Sequence, residues 1–113
     1  MDFIPYKAHE CFEHLYYQIP MELFFNKNYR DKLNSDSKIL YGFLLNRLTL
    51  SAKNNWIDEN GNVFLIFTRK EVQKILNLSD KTATKAFKQL NECKLIHEKK
   101  QGANKPNLIY VGK

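Results

Sequence analysis

TRKEVQKILNLSDKTATKAFKQLNECKLIHEKKQGANKPNLIYV, residues 68–111, is the stretch whose reading decides the fold. It opens on Thr68-Arg69-Lys70-Glu71, a pattern in which the Thr hydroxyl and the Glu carboxylate satisfy free backbone donors at a helix start. The spacing that follows predicts a helix to about Leu76, with Val72, Ile75 and Leu76 turned inward. Asn77-Leu78-Ser79 reads as a tight turn plugged by Leu78, and Ser79 as the cap of a second helix ending near Cys93 or Lys94. Residues 95–100 and 108–111 then read as two strands around a polar tip at 101–107. Two helices across a tight turn, followed by a hairpin, are the parts of a winged helix-turn-helix, an α+β architecture.

Upstream of this stretch, Asn60-Gly61 lies between Trp56-Ile57 and residues 63–67, an Asn-Gly pair between β-formers that predicts a hairpin. Ser35 is a good N-cap, with Asp36 in the first turn of a helix over 36–52. Ile39, Leu40, Phe43, Leu44 and Leu48 form its apolar stripe, and Tyr41 and Leu45 widen it. Lys38, Gly42, Asn46 and Thr49 leave only a narrow polar strip. A helix apolar on most sides is covered on most sides, here by the N-terminal segment or by a second subunit. Residues 14–19 are β-leaning and predict a short strand or extended arm, and Pro20 suits the first turn of a short helix over 21–25. The division expected is an N-terminal arm and short helix, 1–34, that packs or dimerises, and a winged-helix domain, 35–113. Tyr16, Tyr17, Phe24, Phe25, Tyr41 and Leu45 are candidates for dimerisation, with an intramolecular core as the competing role.

At 113 residues, with 43% hydrophobic and 13% aromatic content, the chain fits one packed domain. Its net charge of +6 is unevenly placed. Residues 1–67 carry 7 Lys/Arg against 8 Asp/Glu, a net of −1, whereas residues 68–113 carry 11 against 4, a net of +7. The positive balance therefore coincides with the helix-turn-helix and hairpin, which implies an anionic partner.

Cys11 and Cys93 form neither a disulfide framework nor a CxxC pair, which fits a reducing cytoplasm. His9, Cys11 and His14 are close in sequence but lack a fourth ligand, so neither a metal nor a cofactor is expected. The N-terminus MDFIPYKAHE has no apolar core of signal-peptide length, and no run approaches the length of a membrane span. There is no Gly-rich phosphate loop, nucleophile elbow or oriented His-Cys pair, and no enzymatic activity is expected.

On a helical wheel of residues 80–94, Ala83, Ala86, Phe87, Leu90 and Cys93 share one face. Lys81, Lys85, Lys88 and Glu92 share the other, with Thr84 and Gln89 at its edges, Thr82 nearer the core boundary and Ser79 at the start. Lys reaches guanine acceptors, Gln pairs with adenine and a Thr methyl touches thymine. Lys81, Thr82, Thr84 and Lys85 are the candidates for base contacts in double-stranded DNA, and Lys88 for a phosphate contact. Lys99, Lys100, Asn104 and Lys105 cluster at the hairpin tip, where they would lie along a backbone or in a minor groove.

The segments SDSKILYGFLLNRL at 35–48, NWIDENG at 55–61 and KQGANKPNLIYV at 100–111 resemble the N-terminal domain of RepA-type plasmid replication initiators, the RepA_N family of Gram-positive bacterial plasmids. The resemblance runs in the same order over roughly residues 14 to 111. It implies a winged-helix domain that binds repeated sites in a plasmid origin, commonly as a homodimer, to initiate replication. By position, the recognition helix would be residues 80–94 and the wing 99–107. The resemblance also implies that members usually continue into a separate C-terminal domain that engages host replication proteins. This chain stops just after the wing strand, so it is either a fragment cut at the boundary or lacks that function. Two other roles remain open at this point: a winged-helix transcriptional repressor, and a protein-interaction winged helix, against which the charge split argues.

Overall fold

Helix α2 (Ser35–Lys53) packs on α4 and on two strands of the sheet in this computed structural model, which describes residues 2–10 and 15–113. Before it comes α1 (Glu22–Phe25). After it follow β1 (Leu65–Ile66), α3 (Arg69–Leu76), α4 (Asp80–Glu92), β2 (Ile96–Lys99) and β3 (Leu108–Val111). The strands form one antiparallel sheet in the order β1-β3-β2. Ile96 pairs with Val111 and Lys99 with Leu108, while β1 pairs only Leu65 with Ile109 and Ile66 with Leu108. This is a winged helix-turn-helix: α3 and α4 are the two helices of the motif, and β2-β3 the wing.

A single apolar cluster joins every element. Leu40, Tyr41, Phe43 and Leu44 from α2 meet Val72 of α3, Ala86, Phe87 and Leu90 of α4, and Leu65, Ile96 and Ile109 of the sheet. Leu23 and Leu33 from the N-terminal segment are buried in the same cluster. Each such side chain removed from water contributes about 1.5–3 kcal/mol, so the large buried Phe43 and Phe87 anchor the assembly.

Several local readings change. Asn34, with ψ of 177°, caps α2 in place of Ser35: its side chain accepts from the Ser37 amide at 2.9 Å, and the helix begins one residue earlier. Ile39 and Ile75, both placed inward by periodicity, are 42% exposed because each lies at the rim of its helix's buried face. Gly42 is buried and belongs to no polar strip. A Cβ there would stand 2.9 Å from Cγ1 of Ile19 and 3.1 Å from the carbonyl oxygen of Gln18, so the N-terminal segment crosses α2 at this residue. Residues 15–20 form no strand, since the helix they cross offers no strand edge to pair with; His14 lies outside the described residues.

The 56–67 hairpin is also shorter than its sequence suggests. It has one bridge, Ile57 with Val63, and its turn is closed by Asp58. The Asp58 carboxylate accepts from the amides of Asn60 and Asn62, both at 2.9 Å, while Gly61 takes φ of +81°. Trp56 stacks on Phe64 with centroids 6.4 Å apart, and the Tyr110 hydroxyl donates to Asp58 at 3.0 Å, tying the turn to β3.

Candidate nucleic-acid interface

The two helices of the motif are set by their caps. Thr68 accepts from the Glu71 amide and the Glu71 carboxylate accepts from the Thr68 amide, both at 3.1 Å, the reciprocal box read from the sequence. Asn77 ends α3 in the left-handed conformation at φ 54°, which Asn tolerates better than most residues. Ser79 caps α4 by accepting from the Thr82 amide at 3.1 Å, and its hydroxyl also pairs with that of Thr82 at 2.7 Å. Gln73 donates to Asp80 at 3.1 Å, fastening α3 to α4 across the turn. Helix α4 stops at Glu92, because Lys94 turns to φ 58°.

The predicted faces of α4 separate as follows. Ala83, Ala86, Phe87 and Leu90 are fully buried. Lys81, Thr84, Lys85 and Lys88 are exposed, and Thr82 is half-buried. Lys88 sits 3.9 Å from Glu92, a solvent-exposed pair that constrains it weakly. Gln89 is the exception and is a correction to the sequence reading. Its side-chain carbonyl accepts from the Asn34 amide at 2.8 Å and from the Ser37 hydroxyl at 2.9 Å, so it is spent on the α2 N-terminus and points away from the Lys face.

In the wing, alternation turns Ile96 and Glu98 inward and leaves His97 and Lys99 exposed. Lys99, Lys100, Asn104 and Lys105 are all exposed around the tip. Gly102 at φ +126° and Asn104 at φ +64° shape the tip, which Gln101 closes by donating to the Pro106 carbonyl at 2.8 Å.

Beneath this basic surface lies an acidic group that the composition does not announce. Glu98 receives both arms of the Arg69 guanidinium, at 3.0 and 3.1 Å, and the amide of Asn91 at 2.8 Å. Asn107 approaches it at 3.5 Å. The same guanidinium lies 3.6 Å from the Phe87 ring centroid. Burial alone would raise the Glu98 carboxyl, but the hydrogen bonds and charge of Arg69 with the Asn91 and Asn107 amides outweigh it and lower the value below the usual range. The signal in the sequence was a lone acid at an inward strand position between residues 95 and 113.

The six aromatic and aliphatic residues considered for dimerisation divide. Tyr41 is buried, and its hydroxyl donates to the Gly112 carbonyl at 2.8 Å, so it serves the chain's own interior. Leu45 packs against the core. Tyr17 meets Phe43 edge-on at 5.7 Å, and the Lys38 ammonium lies 4.3 Å from the Phe24 ring. Tyr16 and Phe25 are exposed. Arg47 lies over the rings of Phe43 and Phe67, at 5.4 and 5.8 Å, with its Nε buried and unpartnered.

Among the described residues no group of His, Cys, Asp and Glu could hold a metal ion; Cys11 and His14 fall outside them. No helix there is long and apolar enough to cross a membrane.

Solved structures share this arrangement. One described as the N-terminal domain of a DNA-binding protein is 37% identical, with a TM-score of 0.81 over 99% of this chain and 85% of that one. A structure of a Rep-DNA complex is 39% identical at TM-score 0.79, covering 88% of this chain and 75% of that one. A structure of an MDR initiator is 42% identical at 0.77, covering 88% and 77%. A 41 kDa protein of Lactobacillus helveticus is 30% identical over 112 residues, which is 94% of this chain but 31% of that protein's length. Residues 15–113 match the family described as the N-terminus of replication initiator protein A (RepA). The chain thus belongs to the RepA_N family, the one its helix, turn and wing segments resemble.

Proposed function

We propose that this domain binds double-stranded DNA at repeated sites of a plasmid replication origin and so positions an initiator there. Helix α4 would enter the major groove, with Lys81, Thr82, Thr84 and Lys85 at base edges and Lys88 at a phosphate. Ser79 would lie at the same groove entrance, and Lys99, Lys100, Asn104 and Lys105 would follow the backbone or minor groove. The observation that carries this reading is the exposed Lys and Thr face of α4, beside an exposed basic wing, on the segment that holds a net charge of +7. The Rep-DNA complex at 39% identity supports it. The role is binding without catalysis, in the cytoplasm, as a homodimer; host replication proteins would be engaged through a further domain of a longer chain.

Titration with origin and random duplexes across a salt series tests the reading. Affinity for either should fall with salt at a log-log slope of about −0.9 per phosphate neutralised. Lys81→Ala or Lys85→Ala should cost about 1–3 kcal/mol on the specific site and little on random DNA. Lys99→Ala should weaken all duplexes alike. Absence of binding at low salt would sink the proposal, and equal losses for every variant on both duplexes would refute the division of roles. Footprints in tandem within an origin, rather than at a promoter, distinguish an initiator from a repressor.

A further inference from the structure

The Arg69–Glu98 pair sits where the wing joins the helices. Glu98 belongs to β2, Arg69 is the first residue of α3, Asn91 lies in the last turn of α4, and Asn107 immediately precedes β3. One carboxylate, its side chain 11% exposed, therefore collects donors from both motif helices and from the returning strand. Among the described residues it is the one nearest the wing tip whose side chain is hydrogen-bonded to the helices. Beyond it, β2 has one further residue, Lys99, before the tip. At this level the sheet ties β3 to β1, through Leu65 with Ile109 and Ile66 with Leu108, while β2 lies on its outer edge and the Glu98 carboxylate ties it to the helices.

Whatever stability it adds, the pair has a second consequence. The Arg69 side chain stays 35% exposed against 11% for Glu98, so solvent screens the attraction while the carboxylate still gives up water to make it. What a pair of parallel N–H donors and a carboxylate adds is geometry, because the fork fixes distance and angle together. Here the guanidinium carbon also lies over Phe87, 3.6 Å from the ring centroid, on the buried face of the recognition helix. Charge placement points the same way. A free carboxylate at the root of a basic wing would repel phosphates, whereas one turned inward and neutralised by Arg69 does not.

We propose that Glu98 is a positioning residue for DNA recognition: clamped by Arg69 and Asn91, it fixes the wing relative to α4, so that the basic tip and the Lys face engage one duplex in a single register. This rests on the DNA-binding reading above, and the test separates the two. Glu98→Gln keeps size and shape but removes the charge that holds the fork.

In the DNA-free domain, amide residual dipolar couplings of β2 and β3 should fit the same alignment frame as α4 in the native chain. They should be scaled down in Glu98→Gln while the α2, α3 and α4 couplings stay in place. In duplex titrations, the loss caused by Lys105→Ala should shrink by about threefold or more in the Glu98→Gln background. The loss caused by Lys81→Ala should not shrink. A wing that keeps the native frame in Glu98→Gln, or a Lys105→Ala loss of equal size in both backgrounds, overturns the inference. If the native chain binds no duplex and yet the variant loses the wing frame, the DNA-binding reading falls and the clamp stands. Arg69→Lys, which keeps the charge but not the fork, gives the same two readouts should Glu98→Gln fail to fold.

Discussion

Gly42 shows how a single residue carries information that its neighbours in sequence cannot. Within a helix, Ala is ordinarily preferred to Gly by about 1 kcal/mol, so Gly42→Ala would normally be a stabilising change. Here the new Cβ would sit 3.1 Å from the backbone carbonyl oxygen of Gln18 and 2.9 Å from Cγ1 of Ile19. The first of these cannot rotate away, so the segment crossing α2 has to lift. We expect Gly42→Ala to lower stability by about 1–3 kcal/mol, the usual cost of overpacking, as a reduced urea midpoint at unchanged slope. The ring shifts of Tyr17, which packs edge-on to Phe43 beside this crossing, should move with it. A midpoint that rises instead would mean that the segment is not seated on α2. The wheel of residues 36–52 placed Gly42 among polar positions, because periodicity records the helix itself and nothing of what crosses it.

At the scale of the element, α4 is held from behind by Gln89 and presents its Lys residues in front, so two substitutions on one helix should have opposite signatures. Gln89→Ala leaves the Asn34 amide without its acceptor in a partly buried setting, while the Ser37 hydroxyl keeps the Asn34 carbonyl oxygen at 2.8 Å. Unfolding free energy should fall by about 1–3 kcal/mol, while the salt slope of duplex binding stays the same, since no charge is lost. Lys85→Ala should leave stability within about 0.5 kcal/mol and reduce affinity. If Gln89→Ala instead left stability unchanged and weakened only the specific duplex, Gln89 would be a base-reading residue after all. The buried face of α4 and the Thr68–Glu71 box were legible because both are settled within one or two turns of chain. Gln89 was not, because its partners lie 52 and 55 residues away. The same limit shortened β1: the apolar run at 63–67 has strand character throughout, but only Leu65 and Ile66 have residues of β3 opposite them.

For the whole molecule, the sequence conveyed the order of parts and the separation of charge, which are sums over many residues and survive local errors. It did not convey how the chain's few partly buried ionisable groups bound the pH range of the fold. Glu98 faces Arg69 from α3 and the Asn91 amide from α4, and its carboxyl is lowered. Asp58 is lowered by the backbone amide of Asn62 and, in smaller measure, by the Tyr110 hydroxyl. A carboxyl with a lowered folded value contributes its stabilisation above the unfolded value, near pH 4.3 for Glu, and loses it as pH falls toward the folded one. Tyr41 and Tyr110 act at the other end, each raised by burial, with Glu22 adding to the shift of Tyr41 and Asp58 to that of Tyr110. Both contribute fully below about pH 10 and progressively less as pH rises through the folded value. Stability should therefore form a plateau between about pH 5 and 9, with an acid shoulder and an alkaline one. The acid shoulder has a second source, because a chain already at +6 gains charge as carboxylates protonate and repels itself. Thermal unfolding of the native chain and Glu98→Gln between pH 7 and 3 separates the two. The difference in Tm should be largest at pH 7 and shrink as pH falls below about 4.3, since the native clamp is then protonated away. A constant difference across that range would show that the self-repulsion of the whole molecule, and not the Arg69–Glu98 clamp, sets its acid limit.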